Sequence, residues 1–457
     1  MTYEDTPMYA DSEVGRCSDV GNALRLAFRF EHDLRYVPTH GWYRYEGHRM
    51  VQLAGMPIDE GTALPDLIRQ EALEERDADR RNALLAWAEK SAAGARIREA
   101  LAIASDLPII RTTHDQLDSD PVDFNTPVGM FNLRDGTVRP TVASDLLTKS
   151  ASTFPKDEAP VFHRFLEEMV PSVDVRNFLQ RAVGYSITGL TREEVFFILY
   201  GSGQNGKSKL LGGIAHALGT YAHTFDPKLV VQQKYEGHPT NIASLHGVRF
   251  AYSNEIDQGA QLDEGKVKAL TGGDRITARF MRKDEFTFNP THKLWLATNY
   301  LPVIKGTDKG MWRRIIVIPF DVTVPDEKRD VLLEEKLKAE AAGILSWAID
   351  GARLYLSEGR LRPPVEVQMA SAHYQQEQDA VSQFLTENTV PEAGSVAPAS
   401  DLYLAYKRWA EDNGQPVLSS TAFGRELGRK GYDSAFTGPS GNRKGRKGLR
   451  LLERSWI

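Results

Sequence analysis

The chain has 457 residues, 56 Lys and Arg against 62 Asp and Glu for a net charge of −6, and a single cysteine, Cys17. Near-balance excludes a wholly basic architectural protein, so any nucleic-acid surface must be local. One cysteine excludes an internal disulfide and any zinc site with two or more thiolates.

The eleven histidines show no metal-ligand spacing. The N-terminus, MTYEDTPMYADSE, is acidic and polar, unlike a signal or transit peptide. The longest apolar runs, VFFILY (195–200) and IIVIPF (315–320), are strand-length and too short for a membrane span. A reducing, cytoplasmic setting without membrane partners is the expectation.

In chain order, the first dozen residues read as a loose tail. Asp19 to about Leu107 is mostly helical, with Leu73, Leu84, Leu85, Trp87 and Ala88 at helical spacing across Leu67–Lys90. A hairpin interrupts it at 42–53, with Glu46-Gly47 as its turn, and a second falls at 130–140, with Asp135-Gly136. Helical pattern resumes over 158–187. From 195 to 320 β-branched and aromatic runs alternate with glycine-rich loops and helix-like stretches, the mark of an α/β domain with buried parallel strands. Helices follow at 327–359 and 366–387, then VPEAGSVAPAS (390–400) reads as a linker or turn. The expected division is 1–155 mainly helical, 156–362 a motor, 363–390 a connecting helix and 391–457 a small C-terminal domain.

GSGQNGKS (201–208) fits G-x-x-x-x-G-K-[ST]. Gly201, Ser202, Gly203, Gln204, Asn205 and Gly206 form a loop whose backbone N–H groups can curl around phosphates. Lys207 supplies a charge for the β- and γ-phosphates, and the Ser208 hydroxyl can hold Mg²⁺. The context is right, because an apolar strand precedes the loop and a helix begins at Lys207. Gly201, Gly203 and Gly206 also spell G-x-G-x-x-G. Lys207-Ser208 decides for a nucleoside triphosphate, expected to be ATP with Mg²⁺, over a dinucleotide.

GVRFAYSNEID (247–257) is a second apolar strand ending in acid. Hydrolysis needs a carboxylate beside the metal and the attacking water, and Glu255 is the candidate, with Asp257 as alternative. KLWLATN (293–299) ends in Asn299, an amide at the carboxyl end of a strand, where it can orient water or touch phosphate. Arg313 and Arg314 precede the strand IIVIPF and can stabilise transition-state charge, even across a subunit boundary. Between acid and amide, KVKALTGGDRITARFMRK (266–283) sets Lys266, Lys268, Arg275, Arg279, Arg282 and Lys283 against one acid, Asp274. It reads as a hairpin with a cationic tip, suited to a phosphate backbone.

The last residues supply two amphipathic helices, ASDLYLAYKRWAEDNG (399–414) and SSTAFGRELGRKG (419–431). A basic loop running into a strand follows, with Arg443, Lys444, Arg446 and Lys447. Two helices and a basic β-ribbon suggest a DNA-binding winged helix.

In this order the motifs resemble a superfamily 3 DNA helicase. More closely, the chain is similar to the helicase portion of phage and plasmid primase–helicases related to the poxvirus primase–helicase. The likeness rests on residues 18–50, LQRAVGYSITGLTREEVFFILYGSGQNGKS (179–208), LTGGDRITAR, KLWLATN and WRRIIVIPF. It implies an AAA+-like P-loop ATPase domain between a helical N-terminal domain and a winged helix. It implies a homo-hexamer acting on single-stranded or forked DNA during phage or prophage replication in a bacterial host. By the same resemblance Glu255 is the acidic motif, Asn299 the polar sensor, one of Arg313 and Arg314 the arginine finger, and 266–283 the hairpin lining a central channel. Asn254 stands where many relatives outside this branch carry a second acid, and no primase catalytic domain is evident, so a primase is expected as a separate protein. The competing readings are a replication initiator or loader that assembles on DNA without unwinding it, and a small-molecule kinase.

Overall fold

The computed structural model describes residues 15–156, 158–233, 240–281, 284–305, 308–415, 417–437 and 442–452. The first body packs helices Asp19–Arg29, Leu64–Glu74, Ala78–Ser91 and Gly94–Ala104 around Leu26, Ile68, Leu84 and Leu101. The periodic stretch 67–90 is two helices. Asp77 breaks it by accepting from the backbone N–H groups of Asp79 (3.0 Å) and Arg80 (2.9 Å), an N-cap that starts the second helix afresh. The break resets the phase, so Leu73 is 82% and Leu85 42% exposed while Leu84 and Ala88 are buried.

Both expected hairpins form. Gly41–Tyr45 pairs with Met50–Gln52, and Gly129–Asn132 with Val138–Arg139. Gly47 (φ +74°) and Gly136 (φ +77°) adopt the left-handed turn conformation that glycine tolerates. The boundary expected at 155 is not where packing divides. Phe124, Phe131, Leu133 and Ala151 share one apolar core with the central parallel-sheet domain, and the Phe124 ring stacks on Tyr221 at 4.5 Å.

The central domain is built on a five-stranded parallel sheet of β1 (Phe196–Tyr200), β2 (Ala222–Thr224), β3 (Phe250–Asn254), β4 (Lys293–Thr298) and β5 (Ile315–Pro319). The spatial order is β5-β1-β4-β3-β2. Its apolar runs alternate faces: Phe197, Leu199, Trp295 and Ile316 enter one core, while Phe196, Ile198, Leu296 and Val317 enter the other. Burial on both faces is why these strands are continuously hydrophobic. On the first face, helix Ala341–Glu358 lies against Val173–Ile187 so closely that a Cβ on Gly184 would sit 2.0 Å from the Gly351 carbonyl carbon.

The C-terminal region differs from expectation in two places. The segment 363–390 is two helices, Val365–Glu377 and Ala380–Asn388, because Asp379 accepts from the Ser382 N–H at 3.0 Å and caps the second. Phe384 of that second helix packs with Tyr406, Trp409 and Phe423 in a separate core, so this unit begins near residue 380. The stretch expected to be a linker is strand Thr389–Pro398. It pairs antiparallel with Arg443–Leu451, and its register slips between Pro391 and Val396. An edge position and a bulge let the prolines join a sheet. Ser434–Thr437 pairs with the other side of Arg443–Leu451.

Candidate nucleotide cleft and nucleic-acid surfaces

The phosphate loop joins β1 to helix Lys207–Leu218 at the carboxyl edge of the sheet. Its glycines are required by close approach. A Cβ on Gly201 would lie 2.0 Å from the Phe320 carbonyl oxygen, and one on Gly206 2.6 Å from a Phe165 ring carbon. Gly203 (φ +103°), Gln204 (φ +50°) and Gly206 (φ +73°) turn the backbone through left-handed conformations. Asn205 donates to the Phe320 carbonyl (2.8 Å) and ties the loop to the end of β5. At the rim, Ser202 contacts the Thr323 hydroxyl (3.3 Å) and Gln204 donates to Asp326 (3.3 Å).

Lys207 is 4% exposed. Its ammonium donates to the Gly201 carbonyl (2.9 Å), Asn205 Oδ1 (2.7 Å) and Asn299 Oδ1 (3.0 Å). Burial without a carboxylate partner pushes its pKa down to about 8. The loop, β3 and β4 thus meet at one cleft of about 620 Å³, which Lys207, Ser208, Glu255 and Asn299 all line. Glu255 leaves the end of β3 with φ +68°, and its N–H donates to the Ala297 carbonyl at 2.8 Å. Its carboxylate therefore sits at the cleft; Asp257 does not line it. Strained backbone at a non-glycine residue is common at functional positions.

Ser208 and Glu255 are exposed and make no side-chain hydrogen bond among the described residues, so both can take a ligand. No cluster of three or more His, Cys, Asp or Glu among the described residues could hold a metal by itself. One hydroxyl and one carboxylate fit Mg²⁺, which keeps water and takes phosphate oxygens as its other ligands.

Sequence reasoning missed the far wall. Helix Pro160–Met169 places Phe165 and Met169 over the loop, and Arg164, Lys328, Arg329 and Lys336 ring the opening. No local motif marks these residues, and only their number of cations hinted at an anion.

Arg313 and Arg314 lie at the opposite, amino-terminal edge of the sheet, just before β5. Arg314 is buried and donates to Thr271 (3.2 Å), the Gly310 carbonyl (2.6 Å) and Glu194 (2.8 Å). The Arg313 side chain is 62% exposed and touches Glu194 alone among the described residues. Neither lines this chain's own cleft.

The basic segment does form a hairpin, Ile276–Arg279 against Glu285–Phe288. Arg282 and Lys283 lie outside the described residues. Arg279 is exposed. Lys266 sits 3.6 Å from Asp263, Lys268 pairs with Asp308, and Arg275 pairs with Asp115 (3.0 Å) in the N-terminal part of the chain. In the C-terminal unit Arg443, Lys444 and Lys447 are exposed, whereas Arg446 bends back to the carbonyls of Tyr432 (3.0 Å) and Gly424. Arg446 therefore joins strand to helix. No helix among the described residues is long and apolar enough to cross a membrane.

Three known families match in succession. "D5 N terminal like" covers residues 23–171, "Family of unknown function (DUF5906)" 199–314 and "Poxvirus D5 protein-like" 376–436. D5-type models thus match on both sides of the phosphate-loop sheet. It is also homologous to viral proteins named as helicases and primases. It is 26% identical to a "Putative helicase" of Acanthamoeba polyphaga mimivirus over 86% of this chain and 45% of that one. It is 27% identical to a "Putative helicase" of Frog virus 3 over 54% of this chain and 28% of that one. With a "Putative primase" of African swine fever virus it shares 24% identity over 54% of this chain and 28% of that one. The chain spans less than half the length of these relatives. Among solved structures, the C-terminal region of NrS-1 aligns over 93% of this chain and 98% of that one, at 12% identity and a TM-score of 0.52, a likeness of fold.

Proposed function

We propose that this chain is an ATP-dependent DNA helicase or translocase of viral-type replication, most simply in a phage or prophage. The observation carrying this reading is the convergence of Lys207, Ser208, Glu255 and Asn299 on one cleft at the carboxyl edge of a parallel sheet. The strand order β5-β1-β4-β3-β2 supports an AAA+-like P-loop ATPase. Lys207 and the loop N–H groups hold the phosphates. Asn299, already in contact with the Lys207 ammonium, is placed to register the γ-phosphate, and Glu255 to orient and polarise the attacking water. When bound, Mg²⁺ would be held by Ser208 and Glu255 and would supply charge neutralisation on the phosphate oxygens.

Arg313 and Arg314 stand at the edge away from this cleft, so only a neighbour's cleft could receive them. That supports a ring, with a hexamer as the reading. Arg313 is the better finger, because Arg314 is committed to three internal partners. The hairpin 276–288 and the exposed cations Arg443, Lys444 and Lys447 on a winged-helix-like unit supply DNA contacts. A primase would act from a separate domain or protein.

ATP turnover of wild type and Lys207→Ala, with and without single-stranded DNA, tests the assignment. Turnover that survives Lys207→Ala would remove it. A forked duplex separates the second reading, an initiator or loader, which assembles with ATP and leaves the strands paired.

A further inference from the structure

A second cavity, of about 390 Å³, lies between the N-terminal hairpin and the motor. Arg49 and Thr148-Lys149 line one side, Thr220, Ser244 and His246 the other. Phe280, one residue after the hairpin strand that ends at Arg279, closes the rim.

Lys149 is half-buried, and the end of its side chain passes close over Gly247. A Cβ there would lie 2.8 Å from Lys149 Cε, and φ is +70°. Among the described residues the Lys149 ammonium has no hydrogen-bond acceptor and no carboxylate within ion-pair range. Arg49 donates to the Thr220 hydroxyl at 3.3 Å and likewise pairs with no carboxylate. Asp118 is the carboxylate whose field reaches Lys149, yet its oxygens are already engaged. They accept from the Thr148 N–H (2.8 Å), the Lys149 N–H (3.3 Å) and the Thr148 hydroxyl.

The neighbouring imidazoles add no negative charge. Burial and the Lys149 charge push His246 down to about 4 and also lower His223, so both are neutral at pH 7. Two cations, hydroxyls and the neutral His246 ring thus share a half-enclosed space with a single nearby carboxylate, Asp118, whose oxygens other donors already occupy. A desolvated cation without a partner is costly, and a bound anion removes that cost. The volume suits one nucleotide.

We propose that this junction cavity is a second phosphate-binding site, in which Arg49 and Lys149 grip a phosphate of a free nucleotide or of a polynucleotide strand. The site is separate from the phosphate-loop cleft and does not depend on ATP hydrolysis there. Its lining by Phe280 sets it beside the turn end of the hairpin, where that hairpin meets the N-terminal body.

The test uses the full chain, Lys149→Met and Arg49→Ala. Anisotropy of labelled oligothymidylate without nucleotide, followed across salt, reads the strand. Equilibrium dialysis with a slowly hydrolysed ATP analogue reads the free nucleotide. If a strand is the ligand, each variant binds it about 5- to 10-fold more weakly and the slope of log K against log salt falls by about 0.7. If a nucleotide is the ligand, the analogue binds at two per chain in wild type and one in the variants. The melting temperature provides the control, because losing an unpartnered cation raises it in Lys149→Met. Unchanged oligothymidylate slope together with unchanged analogue stoichiometry overturns the proposal. A lowered melting temperature with unchanged binding also overturns it, by making Lys149 an internal partner of Asp118.

Discussion

Lys207 and Lys149 are two lysines drawn out of bulk water in one chain, and they are held differently. Lys207 has three oxygen acceptors within 3.0 Å, supplied by its own loop and by Asn299. Lys149 has an open cavity and a carboxylate already turned to other donors. The first is pre-set: its geometry exists before any phosphate arrives, so binding needs little rearrangement. The second passes over Gly247 and lines a cavity instead of meeting fixed acceptors. A cation fixed by neutral acceptors suits catalysis, where position matters. A cation left open suits occupancy by something that comes and goes.

Lys207→Ala is the largest break in this comparison, with an expected loss of ATP turnover of about 10²- to 10³-fold and no loss of fold. Glu255→Gln should cost turnover about 10²-fold while analogue binding in dialysis stays near wild type, which separates chemistry from capture. Weaker analogue binding of the same size would mean that Glu255 serves the ligand and not the water. Asn205→Ala removes one of the three acceptors and the tie to Phe320. At about 1 kcal/mol for a hydrogen bond, nucleotide affinity should fall about fivefold.

The smallest effect is on pH. Lys207 titrates near 8 in the folded chain and near its ordinary 10.5 when unfolded. Between those values the unfolded chain holds more protons, so stability rises with pH through this window and levels off above it. Urea midpoints at pH 7.5 and 9.5 should show that rise in wild type, and Lys207→Met should lack it. Nucleotide affinity should run the other way, weakening as pH rises above 8 and the ammonium is lost.

The nucleotide cleft could be read in the sequence because its chemistry is contiguous. A strand, a glycine-rich turn, Lys207-Ser208 and a helix lie within a short span, and the strands before Glu255 and Asn299 each run straight into their candidate residue. What hid was assembled across distance. Arg49, Lys149, Thr220 and His246 come from separated stretches, and no spacing rule joins them. Packing also divides the basic residues within each group. Arg446 and Arg314 spend their guanidinium groups on carbonyls and Glu194, while Arg443, Lys444 and Arg313 stay outside. Helix phase misled where a cap intervened, at Asp77 and again at Asp379. The strand at 389–398 hid because prolines usually argue against sheets, and a bulged edge is where they are tolerated.

Glu340 reaches across to accept the first N–H groups of helix Pro160–Met169, from Val161 (3.0 Å) and Phe162 (2.8 Å), while Phe165 of that helix rests on Gly206 with no space for a methyl group. The helix is thus clamped at one end and bears on the loop at the other, like a rocker with its pivot fixed. Any shift of the loop passes into it without slack, and from it through Glu340 to the helical stack behind the sheet.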